Sequence, residues 1–163
     1  MAAAERSLIA EIEGTFASGP VEKQAEILRR VTDLFLAEAN SYSDEHVGLF
    51  DSVISRLAEK IETKARAELA RRLAPADNAP PNTVRMLARD RSIEVAGPIL
   101  SQSTRLTDED LLSIASDKSQ ERLLAISKRA TISESVSDVL VTHGDRNVVL
   151  SVTQNEGARF SDA

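Results

Sequence analysis

A short helical pattern recurs three times in the second half of the chain and limits the folds that this sequence can adopt. Four sets of residues recur in register at intervals of 26 to 28: Asp90, Asp117 and Asp145; Ser92, Ser119 and Asn147; Ile99, Ile126 and Val152; Leu106, Ile132 and Phe160. Each unit is predicted to contain a turn, a helix A, a second turn and a helix B, and the third unit lacks helix B. Repeats of two short helices are typical of a helical solenoid, although these units are shorter than the about 40 residues of HEAT repeats. We therefore predict short HEAT-like α-α repeats over residues 83–163.

Helix A of the first unit, "IEVAGPILSQS", contains a proline. If the helix begins after Ser92, Pro98 removes one backbone hydrogen bond and kinks it, so that it can follow the curve of a stack. Gly97 would then reduce side-chain bulk where a neighbouring helix approaches. In the alternative, the helix begins late and Pro98 lies in its first turn.

The N-terminal part, residues 1–74, is predicted to be a bundle of three amphipathic helices. The chain is 42% apolar but only 3% aromatic, so its core is built from Leu, Ile, Val and Ala, which suits packed helices. The third helix is predicted over 44–73 as one long helix, with an apolar seam at steps of three and four: Val47, Phe50, Ile54, Leu57, Ile61, Ala65, Leu69 and Leu73. The segment "PADNAPPN", residues 75–82, has three prolines and is predicted to be a linker between domains.

Composition argues against several functional classes. The net charge of −6 disfavours a nucleic-acid-binding protein, which usually needs a basic face. The chain has no cysteine, so disulfides and thiolate metal sites are excluded. The N-terminal residues lack the pattern of a secretory signal, and no apolar run approaches the about 20 residues of a membrane span. We expect a cytoplasmic protein.

No pattern in the sequence predicts catalysis. The two histidines, His46 and His143, lie in separate predicted helices, and nothing indicates that they form a metal or catalytic pair. Asp108, Glu109 and Asp110 lack the ligand spacing of a calcium loop and are explained as an acidic helix start. Nucleotide-binding glycine loops and nucleophile elbows are absent. The sequence therefore predicts no enzyme, cofactor or metal site.

The second half of the chain resembles a bacterial family known as domain of unknown function 2336, mostly from alphaproteobacteria. The matching stretches within residues 85–163 are D-x-S-I-E-V-A, P-I-L-x-x-S-x-x-L-T-D-x-D-L-L, A-I-S-x-R and N-E-G-A-x-F-S. The resemblance implies an all-helical, HEAT-like fold and brings no activity or functional residues. It also implies that this chain is the N-terminal fragment of a longer protein.

A non-enzymatic scaffold that binds a protein or peptide is the function we expect, because stacked helical repeats present long surfaces to extended partners. The predicted contact residues lie on the helix B faces and would favour a basic partner: Asp108, Glu109, Glu134 and Asp138. In a second hypothesis, the seam from Phe50 to Leu73 pairs with another copy in a homodimer, but we expect the seam to face the first two helices instead. An enzyme or a nucleic-acid-binding HEAT-like protein is the third hypothesis.

Overall fold

The structure is a computed structural model that describes residues 2–162, with side chains from residue 10 onward. Within that range the chain forms ten α-helices. Their bounds are α1 Ala2–Ala17, α2 Val21–Ala37, α3 Asp44–Glu59, α4 Thr63–Leu73, α5 Pro81–Ala88, α6 Ile93–Gln102, α7 Asp108–Ala115, α8 Gln120–Ser127, α9 Glu134–His143 and α10 Arg146–Thr153. The predicted all-α class is confirmed.

The prediction of one long helix over 44–73 is wrong, because the chain turns between Glu59 and Thr63. The carbonyl of Ile61 accepts a hydrogen bond from the Arg66 guanidinium, which also binds the Asp90 carboxylate at 2.9 Å. These bonds fix a bend that no proline or glycine marks in the sequence. The N-terminal part therefore holds four helices instead of three, and α4 packs against α6.

The apolar seam of α3 and α4 faces the chain's own interior. Its buried members are Val47, Ile54, Leu57, Ile61, Leu69 and Leu73. Phe50 is partly buried and meets the Phe35 ring edge-on, with centroids 5.2 Å apart. The side chains proposed for dimer contacts thus contact helices of the same chain.

Helices α4, α6, α8 and α10 contact one another in chain order. Helix α4 packs on α6, α6 on α8 and α8 on α10, while α3 contacts α5 and α7 contacts α9. Ile99, Ile126 and Val152 come from α6, α8 and α10, and all three are fully buried in one hydrophobic cluster. The residues that recur in the sequence therefore share a core.

That core continues across the proline-rich segment. Pro81 is the first residue of α5, where its missing N–H costs no hydrogen bond. The buried Asp51 carboxylate of α3 accepts the backbone N–H groups of Asn82 and Thr83, each at 2.8 Å, and the Thr83 hydroxyl at 2.7 Å. An acid on α3 therefore caps the start of α5. Although contacts cross residues 75–82, the division into separate domains stays a prediction.

Pro98 lies inside α6, which begins at Ile93, so the alternative of a late helix start is wrong. The expected approach of a neighbouring helix to Gly97 is also wrong. A Cβ at Gly97 would meet only the Ile93 side chain of its own helix, at 3.7 and 3.8 Å. Gly97 instead lines a surface groove between α6 and α8, and the packing face of α6 carries Ile99 and Leu100.

We predict that Asp51→Ala lowers the free energy of unfolding by about 3 kcal/mol, because two amides at the start of α5 lose a charged acceptor. Urea denaturation followed by circular dichroism measures the change. Glu59→Ala removes an exposed acid from the same helix and should change stability by less than about 0.5 kcal/mol. Equal stability of the two variants would contradict the capping role.

A second prediction concerns a buried hydroxyl of α9. Ser137 Oγ is buried and makes no hydrogen bond within the part of the chain that the structure describes. Ser137→Ala should therefore leave stability unchanged or raise it by up to about 1 kcal/mol in the same denaturation assay. Ser127→Ala is the matched control and should lose about 1 kcal/mol, because Ser127 Oγ donates to the Leu124 carbonyl at 2.6 Å and lies 2.7 Å from Ser151 Oγ. A clear loss of stability in Ser137→Ala would mean that its hydroxyl has a partner.

Candidate functional site

A groove of about 1060 Å³ runs along one edge of the second half of the chain. We call it the turn-edge groove, because it is formed where the α6–α7 connection, the α8–α9 connection and the segment after α10 lie side by side. Its lining residues are Thr104, Leu106, Asp108, Leu111, Arg129, Thr131, Ile132, Ser133, Glu134, Ser135, Glu156, Gly157 and Arg159. The groove therefore includes the starts of α7 and α9, and it is rich in hydroxyl and charged groups.

The connections are aligned by side chains that cap the ends of α6 and α8. Arg129, two residues beyond the end of α8, donates to the carbonyls of Leu100 and Ser103 at the end of α6, both at 2.7 Å. Asn155, two residues beyond α10, donates to the carbonyls of Ser127 at 2.9 Å and Arg129 at 2.7 Å. Each unit thus satisfies carbonyls that a helix end would otherwise leave without partners. The two residues are 26 apart, but their different side chains hide the equivalence in the sequence.

The segment after α10 is joined to the α8–α9 connection by backbone hydrogen bonds. Ile132 N–H donates to the Gly157 carbonyl, and Arg159 N–H donates to the Ile132 carbonyl, both at 3.0 Å. A Cβ on Gly157 would lie 1.8 Å from the Ala130 carbonyl oxygen, so no larger residue fits without movement of the backbone. This close approach explains the glycine of the N-E-G-A stretch and forms one wall of the groove.

Charges of both signs meet at the groove. Burial lowers the pKa of Arg129, and the nearby Asp108 carboxylate acts in the opposite direction. Asp110, two residues after Asp108, is mostly buried and belongs to a capping box with Thr107. Burial acts to raise the pKa of Asp110, but hydrogen bonds from Thr107 and the Arg85 guanidinium outweigh it and lower that pKa. The Asp110 carboxylate at the start of α7 is therefore stabilised as an anion.

Two of the four predicted contact residues line the turn-edge groove, and the other two are exposed nearby on α7 and α9. Asp108 and Glu134 line the turn-edge groove, at the first positions of α7 and α9. Glu109 is exposed in the first turn of α7 but is not a lining residue. Asp138 lies one turn further along α9, where its two carboxylate oxygens accept the Ser161 hydroxyl at 2.9 and 3.1 Å. The sequence did not indicate that Arg129 and Arg159 lie among the acids, because their positions depend on the packing of the connections.

His46 and His143 lie on α3 and α9, which are not in close contact with each other. Among the side chains that the structure describes, those of residues 10–162, no three His, Asp or Glu groups are arranged as metal ligands. The same described part of the chain has no helix long and apolar enough to cross a membrane.

Residues 95–163 match the model of a family described as "Uncharacterised protein conserved in bacteria (DUF2336)". The match covers fewer than half of the residues of the chain, and it includes the turn-edge groove and both of its capping side chains, Arg129 and Asn155. Comparison with curated proteins and with solved structures found no match. The predicted resemblance to this bacterial family is confirmed over these residues.

We predict that Arg129→Leu destabilises the chain by about 2 kcal/mol, because two carbonyls at the end of α6 lose charged donors. The effect should be local as well as global, with faster amide hydrogen exchange at the end of α6 and in the connection after α8. The neighbouring Lys128 is exposed, so Lys128→Leu is the matched control and should leave stability and exchange almost unchanged. Similar exchange in both variants would contradict the capping role of Arg129.

Proposed function

We propose that the chain is a cytoplasmic, non-enzymatic protein of HEAT-like helical repeats that binds an extended peptide segment of another protein in the turn-edge groove. The order of helix contacts supports the repeat interpretation, because α4, α6, α8 and α10 pack successively, as in a short solenoid. The groove itself is the main observation that supports the proposal. Its volume of about 1060 Å³ is at the upper end of the range for small-molecule pockets. Unlike such pockets, the groove is open, and it is lined by parts of three successive connections.

The chemistry of the groove favours a polar, extended ligand. Thr104, Thr131 and Ser135 offer hydroxyl groups that can donate to or accept from a peptide backbone. Leu106, Leu111 and Ile132 supply apolar surface at its base, and all three side chains are buried or nearly so. A peptide that alternates polar and apolar side chains matches this combination, because successive side chains of an extended chain point to opposite sides.

Asp108 and Glu134 favour a basic side chain in the bound peptide. Asp108 is partly neutralised by Arg129, whereas Glu134 is exposed at the start of α9. A lysine or arginine of the ligand would restore charge balance on the acidic side of the groove. The partner that we propose is therefore a flexible segment with basic residues between apolar ones.

The rival hypotheses have less support. Dimerisation through the α3 and α4 seam would need side chains that are buried inside this chain. Catalysis would need a nucleophile or base with an orienting partner, and the hydroxyl groups of the groove lie beside no histidine in its lining. Nucleic-acid binding would need a basic stripe, and the groove has three acids for two arginines.

Titration of ¹⁵N-labelled protein with a short unstructured peptide of alternating lysine and leucine tests the proposal. The expected result is a set of amide shift changes confined to residues 104–111, 129–135 and 156–159. The triple variant Asp108→Ala, Glu109→Ala, Glu134→Ala should weaken binding by about tenfold, which corresponds to about 1.4 kcal/mol.

A matched variant and a matched peptide serve as controls for the effect of charge alone. Asp44→Ala, Glu45→Ala, Glu62→Ala also removes three exposed acids at helix starts, but outside the groove, and should bind as the wild type does. A peptide with glutamate in place of lysine should bind more weakly than the lysine peptide. Equal weakening by both triple variants, or shift changes spread over the whole surface, would overturn the proposal.

A further inference from the structure

The α8–α9 connection is paired along the side that faces the segment after α10. Ile132 forms a parallel β-bridge with Ala158, and both its N–H and its C=O bond to that segment. Ser133 continues the extended conformation, with φ −70° and ψ 163°. Main-chain groups of successive residues in an extended chain point to opposite sides. Those of Thr131 and Ser133 therefore point away from the segment after α10, towards the α6–α7 connection.

The other side of this connection has main-chain groups without hydrogen bonds. In the part of the chain that the structure describes, nothing bonds to the Thr131 N–H, the Thr131 C=O or the Ser133 N–H. The Ser133 C=O is different, because it accepts an N–H of α9. Leu106 recurs in register with Ile132, and within the described residues its N–H and C=O also make no bond. Because Leu106 is only 7% exposed, such unpaired groups are unusual.

The space between the two connections fits one extended chain. The α6–α7 and α8–α9 connections follow two packed helices, α6 and α8, and the axes of packed helices are about 8–10 Å apart. Neighbouring strands of a sheet are about 4.8 Å apart, which is half that distance. The turn-edge groove lies at this place, with Thr104 and Leu106 on one wall. Thr131 and Ser133 line the other wall.

We infer that the turn-edge groove binds its ligand as an added β-strand. The main chain of the ligand pairs with Leu106 on one wall and with Thr131 and Ser133 on the other. The complex is then a small sheet of four strands, in the order α6–α7 connection, ligand, α8–α9 connection and segment after α10. This inference rests on the proposed function and specifies that the peptide is recognised mainly through its backbone amides.

The charges of the groove favour the basic, alternating segment described above as the occupant. Three acids line the groove, Asp108, Glu134 and Glu156. Side chains of a bound strand point alternately to its two faces. One set can therefore cover the apolar base at Leu111, while the other set carries basic groups towards the acids.

A helical ligand would not use these main-chain groups. The N–H and C=O groups inside a helix bond to one another, so a docked helix would leave the groups of Leu106 and Thr131 unpaired. An extended ligand supplies both donors and acceptors along each of its edges. The two kinds of ligand therefore differ in whether binding depends on backbone amides.

Two substitutions at Thr131 isolate the main-chain contribution. Thr131→Pro removes the N–H as well as the hydroxyl, whereas Thr131→Val removes only the hydroxyl. Thr131→Pro should bind the peptide of alternating lysine and leucine about fivefold more weakly than Thr131→Val, because it loses one main-chain hydrogen bond. Circular dichroism and the amide shift of Ile132 check that both variants keep the fold. Equal binding by the two variants would overturn the inference.

Peptides that lack main-chain donors test the same point on the wild-type chain. An ester in place of each leucine amide removes alternate N–H groups and keeps every side chain. This peptide should bind about fivefold more weakly than the all-amide peptide, because the C=O of Leu106 or of Thr131 loses its donor. Full affinity of the ester peptide would mean recognition through side chains alone. That result would overturn the inference and leave the proposed function standing.

Amide hydrogen exchange identifies the bonded groups directly. A saturating amount of the all-amide peptide should slow exchange at Leu106, Thr131 and Ser133 by about tenfold. The Ile132 N–H already donates to Gly157 and should change little. Unchanged exchange at the first three amides in a complex that forms would contradict strand addition. Absence of any shift change with the peptide would instead overturn the proposed function, and this inference with it.

Discussion

Successive burial of α6, α8 and α10 against one another is the constraint on which the rest of this structure depends. Ile99, Ile126 and Val152 are fully buried in one cluster. Burying such side chains contributes about 1.5–3 kcal/mol each, which short helices of 8 to 10 residues need because they are not stable alone. Once these helices are stacked, their connections are brought to a common edge, and the turn-edge groove is a consequence of that stacking.

Side-chain hydrogen bonds then fix the register between neighbouring helices, which apolar packing alone does not determine. Arg129 and Asn155 each satisfy carbonyls of the preceding unit, and Asp51 caps α5 from α3. A hydrogen bond to a backbone group is directional, so each of these side chains limits how far one helix can shift relative to the other. The same bonds hold the walls of the groove in place. A surface built in this way is preorganised, which reduces the entropy cost of binding an extended segment.

Local signals mark the places where several helices begin. Ser43, Thr107 and Ser133 accept amide bonds as helix caps, as their positions before apolar runs indicate. The recurrence of Asp90 and Asp117 was also informative, since each carboxylate accepts the N–H of the serine two residues later. Of the candidate site, the sequence identified Asp108 and Glu134 as acids at two helix starts. The sequence did not predict that Arg129 and Arg159 lie near these two acids, because the residues come from different connections and meet only when the chain is folded.

The amino-acid sequence by itself determined the helical class, the repeat interval and the apolar residues of the core, because these follow from short-range periodicity and capping. Only the tertiary structure decided that residues 44–73 form two helices, since the bend depends on Arg66 bonding to Ile61 and to the distant Asp90. It also decided which charges share the groove and which apolar side chains stay exposed. Those features depend on contacts between residues far apart in the chain, and local periodicity carries no information about them.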